Sequence, residues 1–310
     1  MKRIVLTSFL IIFYFFLQWP SFAWSQETTL VILKSKNIKP FEQAQHGFEV
    51  GLSKEQLKTA ISVQNLEGKK DQDVDHLFDK IKEQKPAMVL AIGSAAALSA
   101  REHLNGIPVL FTMVLEPEKN GLLPPGVTIK LSTKEKLEIL RRLLPKTTRI
   151  GVIYSAESEV DWNEIVKETQ RQGYQVVGKK IESGDVLPST FDSMATGIDL
   201  FFMVADSKLY APKTVEYLLL ASIKHEVPVV GLSSSYTKAG ALVSLEYDRE
   251  DSGFTAAQMA VRILKGQDPA ALGYQHPSRI LYSLNAEVAK RMKIHFSDEA
   301  FKNADEVFGQ

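Results

Sequence analysis

The stretch "VLAIGSAAALSA" (residues 89–100) changes character at its centre, and that change decides the fold class. Residues 89–92 are apolar and typical of a buried strand, whereas residues 94–100 are small and alanine-rich, which favours a helix. Gly93 and Ser94 lie at the junction of the two halves. A buried strand that turns directly into a helix is the repeating unit of a parallel α/β sheet. The stretch therefore predicts a helix N-terminus at the carboxyl end of a strand.

The same alternation of strand-like and helix-like segments occurs twice along the chain. The strand-like runs of the first half are residues 29–35, 59–66, 87–94 and 107–114. The pattern then restarts with residues 149–155, 174–182, 199–206 and 227–234. Amphipathic stretches separate the members of each set, so each set predicts buried parallel strands connected by helices. The predicted fold class is α/β, with two doubly wound parallel-sheet lobes joined by a hinge.

The connecting segments predict how the chain divides between the lobes. The Pro- and Gly-rich segment 116–126 is typical of a linker. A helix-like segment (248–266) and a strand-plus-helix segment (279–292) follow the second half, and the simplest packing returns the first to lobe 1 and the second to lobe 2. Three crossings between the lobes would form a hinge. The predicted division is residues 1–25 as a signal peptide, 26–117 plus 248–278 as lobe 1, and 118–247 plus 279–310 as lobe 2.

The N-terminal residues predict export. Lys2 and Arg3 precede an apolar run from Ile4 to Leu17, and Pro20 and the A-x-A-like pattern Ser21-Phe22-Ala23 follow it. This pattern is typical of a cleaved secretory signal peptide, and the apolar run is shorter than the roughly 18–20 residues of a membrane-spanning helix. An uncleaved membrane anchor is the alternative. We therefore expect a periplasmic protein.

Composition excludes several classes of site. The chain contains no cysteine, so neither disulfides nor a lipid-bearing cysteine can contribute to its stability or its anchoring. Basic and acidic residues both number 37, and no basic block argues for a nucleic-acid partner. The six histidines are scattered without metal-ligand spacing, so we predict no metal and no cofactor.

The candidate ligand-binding residues directly follow predicted strands, where ligands of parallel sheets bind. Lobe 1 offers hydroxyls and helix amides, which suit a carboxylate. Lobe 2 offers an acid, Asp206, which suits an ammonium group, so the two lobes together match an α-amino acid. For each serine, simple helix capping is the alternative. The full predicted set is Ser35, Ser94, Ala95, Glu116, Ser155, Asp206, Tyr210, Ser234 and Tyr236.

Motifs for nucleotide binding or catalysis are weak. "GSAAALS" lacks the Lys-Ser/Thr of a phosphate-binding P-loop, and no G-x-G-x-x-G follows a predicted strand. "SYTK" (235–238) fits the S-x-x-K spacing of serine–lysine hydrolases, but the supporting S-D-N and K-T-G elements are absent. We assign no catalytic residue and keep a hydrolase as a remote alternative. The charged stretch "KEKLEILRR" (134–142) is interpreted as a solvated helix surface.

Five segments, in order along the chain, form a recognisable pattern. They are "KPFEQAQHGFEVGL" (39–52), "AIGSAAALSA" (91–100), "IPVLFTMVLEPEKNGLL" (107–123), "GALVSLEYDREDSGFTAAQMAVRILKGQDP" (240–269) and "NAEVAKRMKI" (285–294). Together they resemble the ABC transporter substrate-binding proteins of the tryptophan/phenylalanine-binding type. The resemblance implies a type I periplasmic binding protein fold without enzymatic activity. It also implies that Ser94 offers its hydroxyl to the ligand carboxylate and that Asp206 takes the ligand amine. Glu116-Pro117 replaces the family's more usual Asp-Pro, and "VADSKLY" matches its Pro-x-Asp-Asn pattern only loosely.

The resulting functional prediction is an extracytoplasmic solute-binding component of an ABC importer. Its small-molecule ligand would be a zwitterion, such as an aromatic or branched amino acid, and its partner an ABC permease in the inner membrane. A sensory module for a membrane receptor kinase is the alternative, since the ligand chemistry would be the same. We expect a monomer.

Overall fold

The computed structural model describes residues 28–55 and 57–309, and the predicted signal peptide lies outside these residues. The strands are β1 (Thr28–Lys34), β2 (Thr59–Asn65), β3 (Met88–Ile92), β4 (Val109–Val114), β5 (Gly126–Thr128), β6 (Arg149–Tyr154), β7 (Gln175–Lys180), β8 (Leu200–Phe202), β9 (Val229–Gly231), β10 (Val243–Tyr247), β11 (Tyr274–Gln275), β12 (Ile280–Asn285) and β13 (Glu306–Phe308). Each of the eight predicted strand segments overlaps one of these strands.

Helices alternate with the strands throughout. The α-helices are α1 (Lys39–Lys54), α2 (Asp71–Glu83), α3 (Ser94–His103), α4 (Thr133–Leu143), α5 (Glu159–Gln172), α6 (Leu187–Met194), α7 (Pro212–Lys224), α8 (Ser234–Ala239), α9 (Arg249–Leu264), α10 (Ala286–Arg291) and α11 (Asp298–Lys302). Short 3₁₀ turns occur at Gly184–Val186, Ala195–Gly197 and Pro269–Leu272.

The strands form two sheets, one in each lobe. The sheet of lobe 1 has the order β11-β5-β4-β3-β1-β2, and the sheet of lobe 2 has the order β13-β12-β10-β9-β8-β6-β7. All neighbouring strands are parallel except β10 and β12, which pair antiparallel because β12 re-enters the second sheet from the hinge. Apolar clusters cover both faces of each sheet. The predicted α/β fold with two lobes is confirmed.

The prediction that all strands are buried holds for the centre of each sheet and is wrong at the edges. β3 is buried at every residue, whereas β2 is half-buried along most of its length. β2 is the last strand of its sheet, so it has a neighbour on one side only.

The chain crosses between the sheets three times. The first crossing (129–132) runs from β5 to α4, the second (residue 248) from β10 to α9, and the third (276–279) from β11 to β12. After the second crossing, α9 packs closely along α1 in lobe 1. A Cβ built on Gly253 of α9 would lie 1.8 Å from the carbonyl oxygen of Ala44, so the two backbones touch there.

The Pro- and Gly-rich segment 116–126 does not connect the lobes as predicted. It joins β4 to β5, and both strands belong to the sheet of lobe 1. The sequence gives no strong strand signal for β5, because it spans only Gly126–Thr128. We therefore propose that the first lobe boundary lies after residue 128 rather than after 117, with the later boundaries kept at 248 and 279.

Candidate functional site

A cavity of about 350 Å³ lies where the strand ends of the two sheets meet. Leu115 and Glu116, which follow β4 in lobe 1, form part of its wall. Ala205, which follows β8, and Ser233, which follows β9, form another part. The carboxyl ends of strands from both lobes therefore border one shared space, which is where parallel α/β sheets bind ligands.

The N-terminus of α3 presents unpaired donors at the end of β3. Gly93 has a φ of 90°, which turns the chain from the strand directly into the helix. In the described part of the chain, no protein acceptor is found for the amides of Ser94 and Ala95 or for the Ser94 hydroxyl. Ser94 is half-buried and Ala95 is exposed. These three donors at the positive end of a helix dipole can donate to a carboxylate.

Ser35 is close to these donors but is engaged within the protein. Its Oγ donates to the carbonyl oxygen of Ile92 at 3.1 Å and accepts from the amide of Ala96 at 2.9 Å. The side chain thus connects the ends of β1 and β3 to the start of α3. The capping alternative fits Ser35 better than contact with a ligand.

Asp206 lies at the corresponding place in lobe 2, beyond the end of β8, and is 6% exposed. Its Oδ2 accepts from the Ser155 Oγ at 2.6 Å, from the Ser158 Oγ at 2.6 Å and from the Ser155 amide at 3.2 Å. Its Oδ1 accepts only from the amide of Lys208, at 3.0 Å. Each carboxylate oxygen has two lone pairs, so Oδ1, with a single partner, can still accept one further donor. Ser158 was not among the predicted residues.

Of the nine predicted residues, only Glu116 lines the cavity itself. The three remaining predicted residues of lobe 2 contact other parts of the protein. Tyr210 and Tyr236 pack against the apolar cluster on one face of the second sheet. The Tyr210 hydroxyl is buried and has no hydrogen-bond partner among the described residues, and burial raises the pKa of this phenol. The amide of Ser234 donates to Glu246 at 3.3 Å. The two tyrosines therefore form no wall of this cavity.

Glu116 takes part in a chain of ion pairs across the hinge. Lys130, in the first crossing, lies with its Nζ 3.0 Å from Glu116 Oε1 and 2.5 Å from Asp161 Oδ1 on α5. Lys119 also contacts Glu116, at 2.8 Å. Burial alone would raise the pKa of Glu116, but hydrogen bonds and charges of the two lysines outweigh it and lower the pKa. Glu116 and Asp161 belong to different lobes, so Lys130 links lobe 1 to lobe 2.

Part of the cavity wall is apolar, and a lysine that the sequence interpretation missed also lines the cavity. Phe202, Val204 and Leu245 from the second sheet line it. Lys136 of α4 lines it too, with its Nζ 5.6 Å from the centre of the Phe202 ring. The interpretation of residues 134–142 as a solvated surface is wrong for this face of α4, because the helix covers the second sheet. The sequence does contain a pattern that indicates this position: Lys136 lies at helical spacing among apolar residues, which are buried in the structure.

Other classes of site find no support in the part of the chain that the structure describes. Residues 28–55 and 57–309 contain no group of three or more potential metal ligands. Within the same ranges, no helix has the length and apolar character needed to cross a membrane. Ser235 and Lys238, the S-x-x-K pair, are both exposed on α8.

Comparison with known proteins agrees with this architecture. The sequence model of a family described as "ABC transporter substrate binding protein" matches residues 39–308. A "Tyrosine-binding protein" from Clostridioides difficile (strain R20291) is 24% identical over 203 residues. That alignment covers 62% of this chain and 58% of the relative, so the chain spans less than two thirds of the relative's length.

Two solved structures are similar over nearly all of the described fold. The ligand-free, open structure of a substrate binding protein with adhesive properties from Clostridium difficile is 21% identical, with a TM-score of 0.79, and the match covers 91% of this chain and 100% of that one. An ABC domain in complex with L-Trp from Streptococcus pneumonia is 20% identical, with a TM-score of 0.62 and the same coverage. The chain therefore belongs to the ABC transporter substrate-binding protein family, and its two lobes have the type I periplasmic binding protein fold.

Proposed function

We propose that this protein is the extracytoplasmic solute-binding component of an ABC importer and that it binds a free amino acid between its lobes. One observation carries the proposal: the cavity is bordered by strand ends of both sheets, Leu115 and Glu116 from one lobe and Ala205 and Ser233 from the other. A ligand in this place would contact both lobes at once.

The unpaired polar groups suit the two ends of an amino acid. The ligand carboxylate would accept from the Ser94 hydroxyl and from the amides of Ser94 and Ala95, helped by the α3 dipole. The ligand ammonium group would donate to Asp206 Oδ1, which has only one partner within the protein. Hydrogen bonds between opposite charges are about twice as strong as neutral ones, so both ends would contribute.

Binding would favour the closed arrangement of the lobes. A ligand that contacts both lobes only when they close binds the closed form more tightly, and its binding shifts the population toward that form. The closed, loaded form would then be the one that docks on an inner-membrane permease. We propose that the protein acts as a monomer without catalytic activity, after export to the periplasm with removal of the predicted signal peptide.

The apolar wall of the cavity favours an aromatic or branched side chain on the ligand. Phe202, Val204 and Leu245 offer no hydrogen-bonding side-chain groups. The printed names of a relative and of a structural neighbour, a tyrosine-binding protein and a complex with L-Trp, point to aromatic amino acids for those proteins. An aromatic amino acid is therefore our first candidate for this chain.

Titration calorimetry with the twenty amino acids, on protein freed of co-purified ligand by unfolding and refolding, tests the proposal. We expect binding of at least one aromatic amino acid. The N-acetyl and the carboxamide derivatives of that amino acid are the matched controls, since each lacks one of the two charges. Each should bind at least about 10-fold more weakly. Absence of binding by all twenty to folded protein, or binding of both derivatives as tightly as the unmodified amino acid, would overturn the amino-acid assignment.

A further inference from the structure

Lys136 lines the cavity and has no ion-pair partner among the described residues. The residue is in the second turn of α4 and lines the cavity together with Phe202 and Val204. Among the described residues, no carboxylate oxygen lies within 4.0 Å of its Nζ, and no hydrogen bond from it is found. Lysine is a donor only, so its three N–H groups are available to an acceptor that enters the cavity.

The acids around Lys136 are already engaged with other partners. Asp161 accepts from Lys130 at 2.5 Å. Glu164 accepts from the first amide of α4 at 2.9 Å. Glu135 closes the capping box of the same helix and accepts from a buried tyrosine. Each of the three acids therefore has a partner other than Lys136, and none forms an ion pair with the lysine in this structure.

The position is unfavourable for a cation in the empty protein. Burial disfavours the charged form and lowers the pKa of Lys136, although nearby acids act in the opposite direction. The residue also lies near the N-terminus of its helix, where the helix dipole disfavours positive charge. An oxygen acceptor brought in by a ligand would reduce both penalties, whereas an apolar group would reduce neither.

We propose that the cavity receives the side chain of the bound amino acid and that Lys136 donates to an oxygen acceptor at its far end. The inference rests on the proposed function. Within the class of amino acids, the inference selects those whose apolar or aromatic side chain ends in a phenol or carboxylate oxygen. The cavity of about 350 Å³ lies within the range of roughly 300–1,000 Å³ for small-molecule pockets. Ala205 on its wall directly precedes Asp206, so the side chain and the charged end would occupy adjoining places.

Lys136 would also exclude ligands. A side chain that ends in an ammonium or guanidinium group would place like charges together in an apolar surrounding, which is costly. A phenylalanine side chain would leave the ammonium group buried and unpaired, which costs more than an imperfect hydrogen bond. The site would therefore discriminate between aromatic amino acids by the atom at the para position.

Calorimetry with three ligands that differ only at that position tests the inference. L-phenylalanine, L-tyrosine and 4-carboxy-L-phenylalanine are compared on the wild type, on K136M and on K134M. Lys134 is the matched control because it lies on the same helix with a side chain that is 67% exposed. We expect the wild type and K134M to bind the two oxygen-bearing ligands about 10-fold more tightly than L-phenylalanine. In K136M the three affinities should converge to within about threefold, mainly through tighter binding of L-phenylalanine.

The outcomes separate this inference from the proposed function. Binding of L-phenylalanine by the wild type as tightly as the other two would overturn the inference and leave the proposed function intact. An unchanged preference in K136M would do the same. Failure of all amino acids to bind the wild type would instead overturn the proposed function. If K136M does not fold, K136Q replaces it: loss of the preference for 4-carboxy-L-phenylalanine supports the inference, and an unchanged preference overturns it.

Discussion

The two lobes have polar groups at equivalent strand ends, but these groups differ in whether they form hydrogen bonds within the protein. In lobe 1, the Ser94 hydroxyl and the amides of Ser94 and Ala95 have no acceptor in the described part of the chain. In lobe 2, Asp206 accepts four hydrogen bonds from within its own lobe. The groups of lobe 1 are thus open to a ligand, whereas Asp206 is first a structural centre that joins the ends of β6 and β8.

This difference follows from chemistry as well as from position. A helix N-terminus carries only partial charge and can remain solvated until a ligand arrives. A carboxylate that is 6% exposed cannot remain unpaired, because burying an unpaired charge costs several kcal/mol. Ser155 and Ser158 provide the compensating donors. A ligand ammonium group would therefore add to an existing network on Asp206 rather than complete an empty site.

Asp206→Ala is the strongest test of the structural role of the hydrogen bonds in lobe 2. The Ser155 and Ser158 hydroxyls would lose their acceptor inside the protein, and we expect the free energy of unfolding to fall by about 3 kcal/mol. Urea unfolding of the mature protein measures this. Asp206→Asn is the control, since it keeps the shape and one acceptor oxygen and should lose less. A loss below about 1 kcal/mol for the alanine variant would show that the network is not structural.

The opposite end of the same sheet offers a second acid for comparison. Asp199, just before β8, pairs with Arg149 at 2.7 Å and accepts from Thr148. Burial alone would raise its pKa, but these contacts lower the pKa to about 2 from 3.8. The folded state therefore binds this proton less readily than the unfolded state. The resulting stabilisation is fully present above pH 3.8 and is lost as the pH falls toward 2.

We expect Asp199 to contribute about 2 kcal/mol to folding at pH 7 and to lose that contribution between about pH 4 and 2. Asp199→Asn should therefore unfold more easily than the wild type at pH 7, and the two curves should converge near pH 2. Urea unfolding across this pH range measures the difference. A constant gap between the two proteins would contradict the pKa assignment and leave the role of Asp206 unaffected.

Ser94→Ala tests the open state of lobe 1. The hydroxyl has no partner within the described protein, so its removal should change the free energy of unfolding by less than about 0.5 kcal/mol. If the hydroxyl donates to the ligand carboxylate, affinity should fall by about 10-fold. Calorimetry with the best amino-acid ligand measures this, with Ser99→Ala on the same helix as the control. Loss of stability without loss of affinity would show a structural role instead.

The sequence was sufficient to predict the two-lobed α/β architecture. Strands such as β1 and β3 are predictable from the local pattern, because a strand that is buried on both faces has a continuous run of apolar residues. β5 and β11 span only three and two residues, which is too short for a pattern of apolar and polar residues to be recognised. Because β5 was missed, its preceding loop was misinterpreted as the connection between the lobes.

The state of each site residue could not be predicted in the same way. Ser158 contacts Asp206 across 48 residues of chain, and that proximity arises only when β6 and β8 lie side by side. Lys136 has a local signal, since it shares a helix face with Thr133, Leu137 and Leu140, which are buried. Only the contacts show that its neighbouring acids are engaged elsewhere.

The smallest expected effect on stability comes from the ion pairs of Lys130 at the hinge between lobe 1 and lobe 2. Lys130 contacts Glu116 of lobe 1 and Asp161 of lobe 2, and its side chain is 33% exposed. Pairs of this exposure contribute about 0.5–1 kcal/mol, so Lys130→Met should lower the free energy of unfolding only slightly. The same small energy acts directly on the arrangement of the lobes, where about 1 kcal/mol changes a population ratio about fivefold.

We therefore expect Lys130→Met to change the radius of gyration of the ligand-free protein while its unfolding curve stays nearly the same. Small-angle X-ray scattering with and without ligand measures the first, and urea unfolding the second. Lys119→Met is the control, because Lys119 contacts Glu116 but no residue of lobe 2 among the described ion pairs. If Lys130→Met and Lys119→Met scatter identically, the ion pairs stabilise the first crossing locally and do not set the angle between the lobes.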